Sequence, residues 1–319
     1  MLVGLINPSA GGAPAVDLAH VLASASPRLR LLVSDRPEDI DALVTTLRET
    51  SAELLVIAGG DGTVLNLLTR FAAVGALDAV PPLLVLPAGR LNTIASALVG
   101  SRQPAKLAQR ILHAWMRGVR RLQRMPVLRV KVDGLPDHIG VTCSLGAVAR
   151  LHADYRNGVL RGAPGVVELL GRMAMQSLPS DRFAPIRGPF ELRPGPMELP
   201  VVTAGLLSPL PGFFGVLRPF PGVRSVASAG FYTMLSSLGS MASQAALLAV
   251  ARGHLPPGPH WQFGEQEHFA YQSGEHRDLI VLDGEELSVR PHANVEISVA
   301  GHLRVLVWRE MPAPKPVSR

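Results

Sequence analysis

One stretch of this chain concentrates residue types that could do chemistry: VIAGGDGTVLNLL, residues 56–68. An apolar run stops at Gly59-Gly60-Asp61-Gly62-Thr63 and then resumes. Glycines let backbone amides come close to an anion, and the first turn of a following helix leaves its own N–H groups unpaired. That combination suits a phosphate. Asp61 could face a magnesium ion carried by a nucleotide, and Thr63 could cap the helix or hydrogen-bond a phosphate. The same residues also read as a tight strand-to-helix turn in which Asp61 or Thr63 is only a cap.

The elements that must position this turn are legible in the first ~125 residues, by the period of their apolar positions. Residues 2–6, 29–34, 54–58 and 83–88 read as strands, and residues 14–26, 37–50, 64–74 and 104–118 as helices, with a further helix opening at LNTIASALVG. Strand, loop and helix in repeated alternation imply a parallel sheet with helices packed on it, and ligands bind such sheets beyond the carboxyl ends of the strands. After Gly118 the texture changes. VLRVKVDG (127–134), HIGVTCSLG (138–146) and the span 279–310 alternate as strands do, whereas 179–222 is loaded with Pro and Gly and has only short apolar pieces. The expected fold is an α/β N-terminal domain (parallel sheet, Rossmann-like, three layers) over 1–124 and a mainly β C-terminal domain (a β-sandwich) over 125–310, with a frayed tail at 311–319.

Of the 319 residues 47% are hydrophobic and 18% charged, which gives material for a sizeable core and argues against disorder. The net charge of +6 and pI of about 10.2 suit phosphate-bearing ligands, a membrane surface or nucleic acid without choosing among them. No nucleic-acid motif and little aromatic interleaving are present, so nucleic acid is set aside as a partner. Cys143 is the only cysteine, so no internal disulfide forms, and MLVGLINPSAGG reads as a strand and loop and not as a signal peptide. The expected location is the cytoplasm, with contact to the inner membrane surface. The uncharged run Ser225–Ala251 is long enough to span a bilayer, but its six serines, two glycines and one glutamine favour a buried or interfacial helix.

Three further pieces join GGDGT. They are Asn7-Pro8-Ser9-Ala10-Gly11, then Pro87-Ala88-Gly89-Arg90-Leu91-Asn92-Thr93-Ile94-Ala95, and late in the chain Leu282-Asp283-Gly284-Glu285. In this order and spacing, over essentially the whole chain, they resemble the N-P-x-x-G, G-G-D-G-T, P-x-G-T-x-N-D-F-A and D-G-E motifs of the diacylglycerol kinase catalytic family. Sphingosine, ceramide and NAD kinases share GGDGT; the second glycine- and threonine-rich motif of NAD kinases is not found. The resemblance implies a two-domain lipid kinase of the bacterial soluble type with its site in the cleft. The nucleotide, ATP with Mg2+ at Asp61, would be held by Asn7, Pro8, Gly11, Gly59, Gly60, Asp61, Gly62, Thr63, Gly89, Arg90 and Asn92. Asp283 matches the family's general base, with Glu285 beside it, although Asp-Gly is also a common hairpin turn. The partners implied are the nucleotide and a lipid at a membrane surface, with a homodimer left open.

The chain departs from the family pattern at several places. Gly12 stands where a Lys or Arg often follows the N-P-x-x-G glycine, Arg90 and Thr93 replace a Thr and an Asp, Asn66 replaces a Glu, and Pro126 falls near an expected Asp. Gly212-Phe213-Phe214-Gly215 is all that stands for a Gly-Gly-Gly. Two readings follow. In one, Arg90 supplies the positive charge missing at Gly12 and contacts nucleotide phosphate, an arrangement to which a guanidinium fork is suited. In the other, the fold persists as a non-catalytic nucleotide- or lipid-binding module; an NAD-kinase- or sugar-kinase-like phosphotransferase is a third possibility. The histidines show no metal-ligand spacing. Cys143-Ser144 reads as packing, because no partner base can be placed near it. Arg150, Arg156, Arg161 and Arg172 with His152 form a basic stretch, either a solvated face or a contact for anionic headgroups.

Overall fold

A computed structural model describes the chain apart from residues 11–12, 27–28, 35, 90–91, 101–102, 158–184, 188, 214–216, 238–248, 250–252, 255–258 and 309–319. The first part alternates as expected: β1 (Leu2–Ile6), α1 (Ala13–Ala25), β2 (Leu29–Val33), α2 (Pro37–Glu49), β3 (Leu54–Gly59), α3 (Asp61–Ala73), β4 (Leu83–Pro87), α4 (Thr93–Leu98) and α5 (Pro104–Met116). The strands β2-β1-β3-β4 are parallel neighbours in that order. Every residue of β1, β3 and β4 is buried, which is why these strands read as unbroken apolar runs and not as alternating ones. Local chemistry starts α2: Pro37 occupies its first turn, and the Arg36 N–H donates to Asp39 Oδ2 at 2.9 Å.

The remainder is β5 (Leu122–Val132), β6 (His138–Gly140), β7 (Cys143–Leu145), α6 (Gly146–Asn157), β8 (Phe190–Arg193), β9 (Ala204–Ser208), β10 (Phe231–Ser236), β11 (Trp261–Gln266), β12 (His268–Gln272), β13 (Asp278–Leu282), β14 (Glu285–Val289) and β15 (Asn294–Leu306). Strands β11-β10-β9-β7-β13-β14 form a second, antiparallel sheet. It packs on the β12, β5 and β15 part of the first, with Phe269, Tyr271, Val130 and Ile297 from one side meeting Phe231, Leu207, Ile280 and Leu287 from the other. This is an α/β domain with a parallel sheet joined to an antiparallel β-rich one.

Two expectations change. The uncharged run 225–251 is not one continuous helix: residues 231–236 are β10, an inner strand with five of its six residues buried, Ala249 is helical, and 238–248 and 250–251 lie outside the described residues. Ser236 ends that strand, and Ser225, Ser228 and Ser237 lie outside it. Among the described residues no helix is long and apolar enough to cross a membrane. The Pro- and Gly-rich span 179–222 contains β9, buried at all five positions, whose only sequence signal is the short run AGLLS.

Strand β15 unites the two parts. Its first half pairs with β12 and contributes Val295 and Ile297 to the inter-sheet core. Its last residues place Leu303, Val305 and Leu306 in the helix-covered core, with Val305 opposite Leu83 of β4. Along its whole length it is laddered to β5, with one bulge between Val299 and Gly301. The two cores should therefore unfold together. Ile297→Ala, at a fully buried position of the inter-sheet core, should cost about 2–5 kcal/mol. It should lower the denaturation midpoint reported by Trp115 and Trp308, which lie in the other core. Two separate transitions in denaturant, with the tryptophan signal unmoved by the substitution, would show that β15 does not couple them.

Candidate functional site

Three loops meet at the ends of β1, β3 and β4, and small residues let them. A Cβ on Gly60 would lie 3.3 Å from Gly89 Cα and 3.8 Å from Ala10 Cβ, and one on Gly89 would overlap Gly60 outright. A Cβ on Gly59 would lie 2.7 Å from Thr63 Oγ1. Gly60 and Gly89 are thus required by the mutual approach of two backbones, whereas Gly59 makes room for the Thr63 side chain and Gly62 has open space beside it. Asn7 ties in the first loop: its Nδ2 donates to Thr63 Oγ1 at 3.0 Å and its Oδ1 accepts from the Ser9 N–H at 3.0 Å. Pro8 follows in a 3-10 turn, Pro8–Ala10. Gly11 and Arg90, both expected to touch nucleotide, lie outside the described residues.

Asn92 closes the third loop on itself. Its Oδ1 accepts from the Gly89 N–H at 2.6 Å, its Nδ2 donates to the Gly89 carbonyl at 2.7 Å, and its backbone takes the left-handed conformation at φ 52°. Asparagine is among the few side chains that tolerate this conformation readily. Asp61 starts α3, three residues earlier than the apolar period places that helix, and it caps a different one. Its Oδ2 accepts from the Thr93 N–H at 2.8 Å and its Oδ1 from the Ile94 N–H at 3.0 Å. Burial pushes the Asp61 carboxyl up while these amides hold it down. The sequence reading turned Asp61 toward a metal ion; in the structure both oxygens are directed to backbone amides, and among the described residues no group of three or more His, Cys, Asp or Glu gathers. Gly60 is the N-cap of α3 and offers no side-chain cap, so the first-turn amides are met by no side chain of that residue.

The second half of the site comes from the β13–β14 hairpin. Asp283-Gly284 is its two-residue turn, with φ of 48° and 90°, the geometry that Asp-Gly favours. The turn also aims a carboxylate. The strand read over 138–146 is broken at Val141-Thr142, between β6 and β7, and the break presents two N–H groups: Val141 donates to Asp283 Oδ2 at 2.7 Å and Thr142 to Oδ1 at 2.8 Å. Gly140 leaves the room, since a Cβ there would lie 2.7 Å from Asp283 Oδ2. Asp283 keeps part of its surface, but desolvation raises its carboxyl to about 7 against the two amides, with the carboxylates of Asp61 and Glu285 adding to the rise. Strand β6 packs against α3, which brings Asp283 within electrostatic reach of the GGDGT turn. Glu285 is exposed at the start of β14.

Residues invisible to sequence reasoning complete the site. The amides of Val141, Thr142, Thr93 and Ile94 carry no side-chain signature. Ser144, for which no partner base could be placed, is hydrogen-bonded to His152 Nδ1 at 2.8 Å; α6 brings the histidine back over β7. Desolvation holds that imidazole down at about 4, so the pair serves as a neutral tie between α6 and the sheet. Cys143 faces the inter-sheet core, and burial pushes its thiol up, in keeping with packing. Arg150 and Arg156 lie on α6, and Arg161 and Arg172 lie outside the described residues.

The site thus brings together two helix starts, a glycine turn and a carboxylate from the second sheet. Residues 1–123 match the family described as Diacylglycerol kinase catalytic domain. The crystal structure of a diacylglycerol kinase from Bacillus anthracis str. Sterne superposes with a TM-score of 0.63 at 15% identity, covering 96% of each chain. Two further structures from the same organism give TM-scores of 0.68 and 0.67 at 17% and 16% identity, again over 96% of both chains. At these identities the likeness establishes the shared fold. No curated protein matches the chain.

The geometry gives two expectations. Gly89→Ala forces apart the loops that meet at Gly60, and overpacking of this kind costs about 1–3 kcal/mol; nucleotide binding measured by calorimetry should fall with it, and unchanged binding and stability would show that the loops have slack. For Asp283 the folded-state value of about 7 lies above the ordinary 3.8. Its contribution is therefore fully present below pH ~4 and lost as pH rises through ~7. Wild type should lose stability relative to Asp283→Asn between those limits, and urea midpoints of the two proteins that run parallel across that window would show that the carboxyl is not perturbed.

Proposed function

We propose that this protein is an ATP-dependent lipid kinase that transfers the γ-phosphate to a lipid hydroxyl of the diacylglycerol type. The observation that carries this is Asp283: a carboxylate with a raised proton affinity, held by two amides beside the GGDGT turn. A general base works best when its pKa lies near the working pH. Asp283 takes the proton of the acceptor hydroxyl as that oxygen bonds to the γ-phosphorus and the bond to the ADP oxygen breaks. Gly59, Gly60, Gly62 and the first turn of α3 receive the phosphates, while Asn7 and Asn92 set the loops around them and Thr63 is held by Asn7. Arg90 contributes a guanidinium to the phosphates in this reading, and Glu285 adds negative charge beside the base.

The described residues fit a nucleotide phosphate better than a metal held by the protein. Magnesium belongs with the nucleotide, where it neutralises phosphate charge. We divide the chain into a nucleotide domain over 1–124 and an acceptor domain over 125–310, with β15 returning from the second to the first. A lipid acceptor places the working protein at the cytoplasmic face of a membrane. A second reading, a degenerate nucleotide- or lipid-binding module, is favoured by one observation: among the described residues no set of three or more His, Cys, Asp or Glu gathers around Asp61.

The deciding measurement is transfer of labelled γ-phosphate from ATP, with magnesium, into a mixed lipid extract. Wild type should label a lipid band, and Asp283→Asn should reduce that label about 10²–10⁴-fold, with the turn intact because asparagine accepts the left-handed conformation. Equal labelling by both proteins removes Asp283 from the base role. No label from wild type, with ATP still bound, leaves the module reading.

A further inference from the structure

Ser208, at the end of β9, makes three hydrogen bonds with no exposure to solvent. Its hydroxyl donates to the Val141 carbonyl at 3.1 Å, accepts from the Leu210 N–H at 3.2 Å, and lies 3.2 Å from Thr142 Oγ1. Proton counting settles the last contact. A serine hydroxyl has one hydrogen, and that hydrogen goes to Val141, so Thr142 Oγ1 is the donor and Ser208 the acceptor. Ser208 is then fully used, with two bonds accepted and one donated.

The bond to the Val141 carbonyl matters most, because that carbonyl belongs to the peptide whose N–H is the Thr142 N–H. Ser208 grips this peptide plane at its oxygen; the other end of the plane donates to Asp283 Oδ1 at 2.8 Å. The bonds run one way, from the Leu210 N–H through the Ser208 hydroxyl and the Val141–Thr142 peptide to the carboxylate. Each polarises the next, so the Thr142 N–H is a stronger donor for having its carbonyl engaged. The strand is broken at this point, so among the described residues no ladder partner fixes the peptide in place of Ser208.

We propose that Ser208 is a positioning residue for Asp283, orienting and strengthening the amide that holds the carboxylate, with Thr142 Oγ1 fixing the serine rotamer. The proposal rests on the reading of Asp283 as the base, but its readout does not. The other groups that act on this carboxylate are Asp61 from α3, Glu285 from β14 and Cys143 from β7.

The test is the titration of Asp283 in the full chain labelled with carboxyl-¹³C aspartate, its resonance assigned by loss in Asp283→Asn. The wild-type midpoint should lie near the raised value of about 7. Ser208→Ala removes one hydrogen bond from the chain and should lower the ionisation constant of Asp283 about 3- to 10-fold, the size of one net hydrogen bond. Thr142→Val should act in the same direction by about 2-fold, and Ser208→Thr, which keeps the hydroxyl, should restore the wild-type midpoint. Where phosphotransfer is present, the rising limb of its pH profile should move with the resonance. A shifted resonance in a chain that transfers no phosphate upholds the positioning and defeats the kinase reading. An unshifted resonance in folded Ser208→Ala overturns the positioning whatever the activity. If Ser208→Ala fails to fold, Thr142→Val decides, and an unmoved midpoint there overturns it equally.

Discussion

The ladder between β5 and β15 is the constraint on which the rest of the molecule hangs. One strand cannot be displaced without disturbing both cores, because β15 holds Ile297 between the two sheets and Val305 under the helices. The bulge between Val299 and Gly301 lies between these two stretches, and an extra residue at that point lets the strand bend from one sheet environment to the other. From this follows the position of β6, which pairs with β5 and packs against α3. The break after β6 then falls beside the GGDGT turn. The site is assembled from residues more than two hundred positions apart because one ladder fixes where both halves of the chain must be.

The N-terminal part was legible because its signals are local. Strands buried on both faces read as apolar runs, glycines mark backbone contacts, and helices show their period. Even there, α3 begins at Asp61 and not at Val64, since first-turn residues need no apolar period; their N–H groups have no partner three or four residues back. The β-rich part was less legible for a physical reason. Strands β9 and β10 lie inside a sheet, are short, and owe their conformation to neighbours far away in sequence. Residues 231–236 form a strand because they pair with β9 and β11, a fact that a run free of charges does not reveal.

Asp283-Gly284 shows how two readings of one motif become a single device. As a hairpin turn it needs left-handed backbone at both positions, which Asp and Gly supply. As a functional group it needs a fixed direction, and the turn provides this because the hairpin is pinned by β7 on its other edge. The sequence shows the turn, and the role proposed for Asp283 comes from the resemblance. Neither shows the two amides that receive the carboxylate, because a backbone N–H has no letter of its own.

Those amides also set a balance. Two carboxylates, Asp61 and Asp283, face the same region from different halves of the chain, and each is fed by two backbone N–H groups. Burial pushes both carboxyls up and those donors pull against it; Asp61 is tied to the start of α4, while Asp283 is raised to about 7. The difference lies in what each pair of amides belongs to. Thr93 and Ile94 open a helix, whose dipole favours the charged form of Asp61. Val141 and Thr142 belong to a strand break, so their hold on charge depends on how the peptide is itself held. For the base role proposed for Asp283, the second kind of support leaves the carboxyl free to titrate near neutrality.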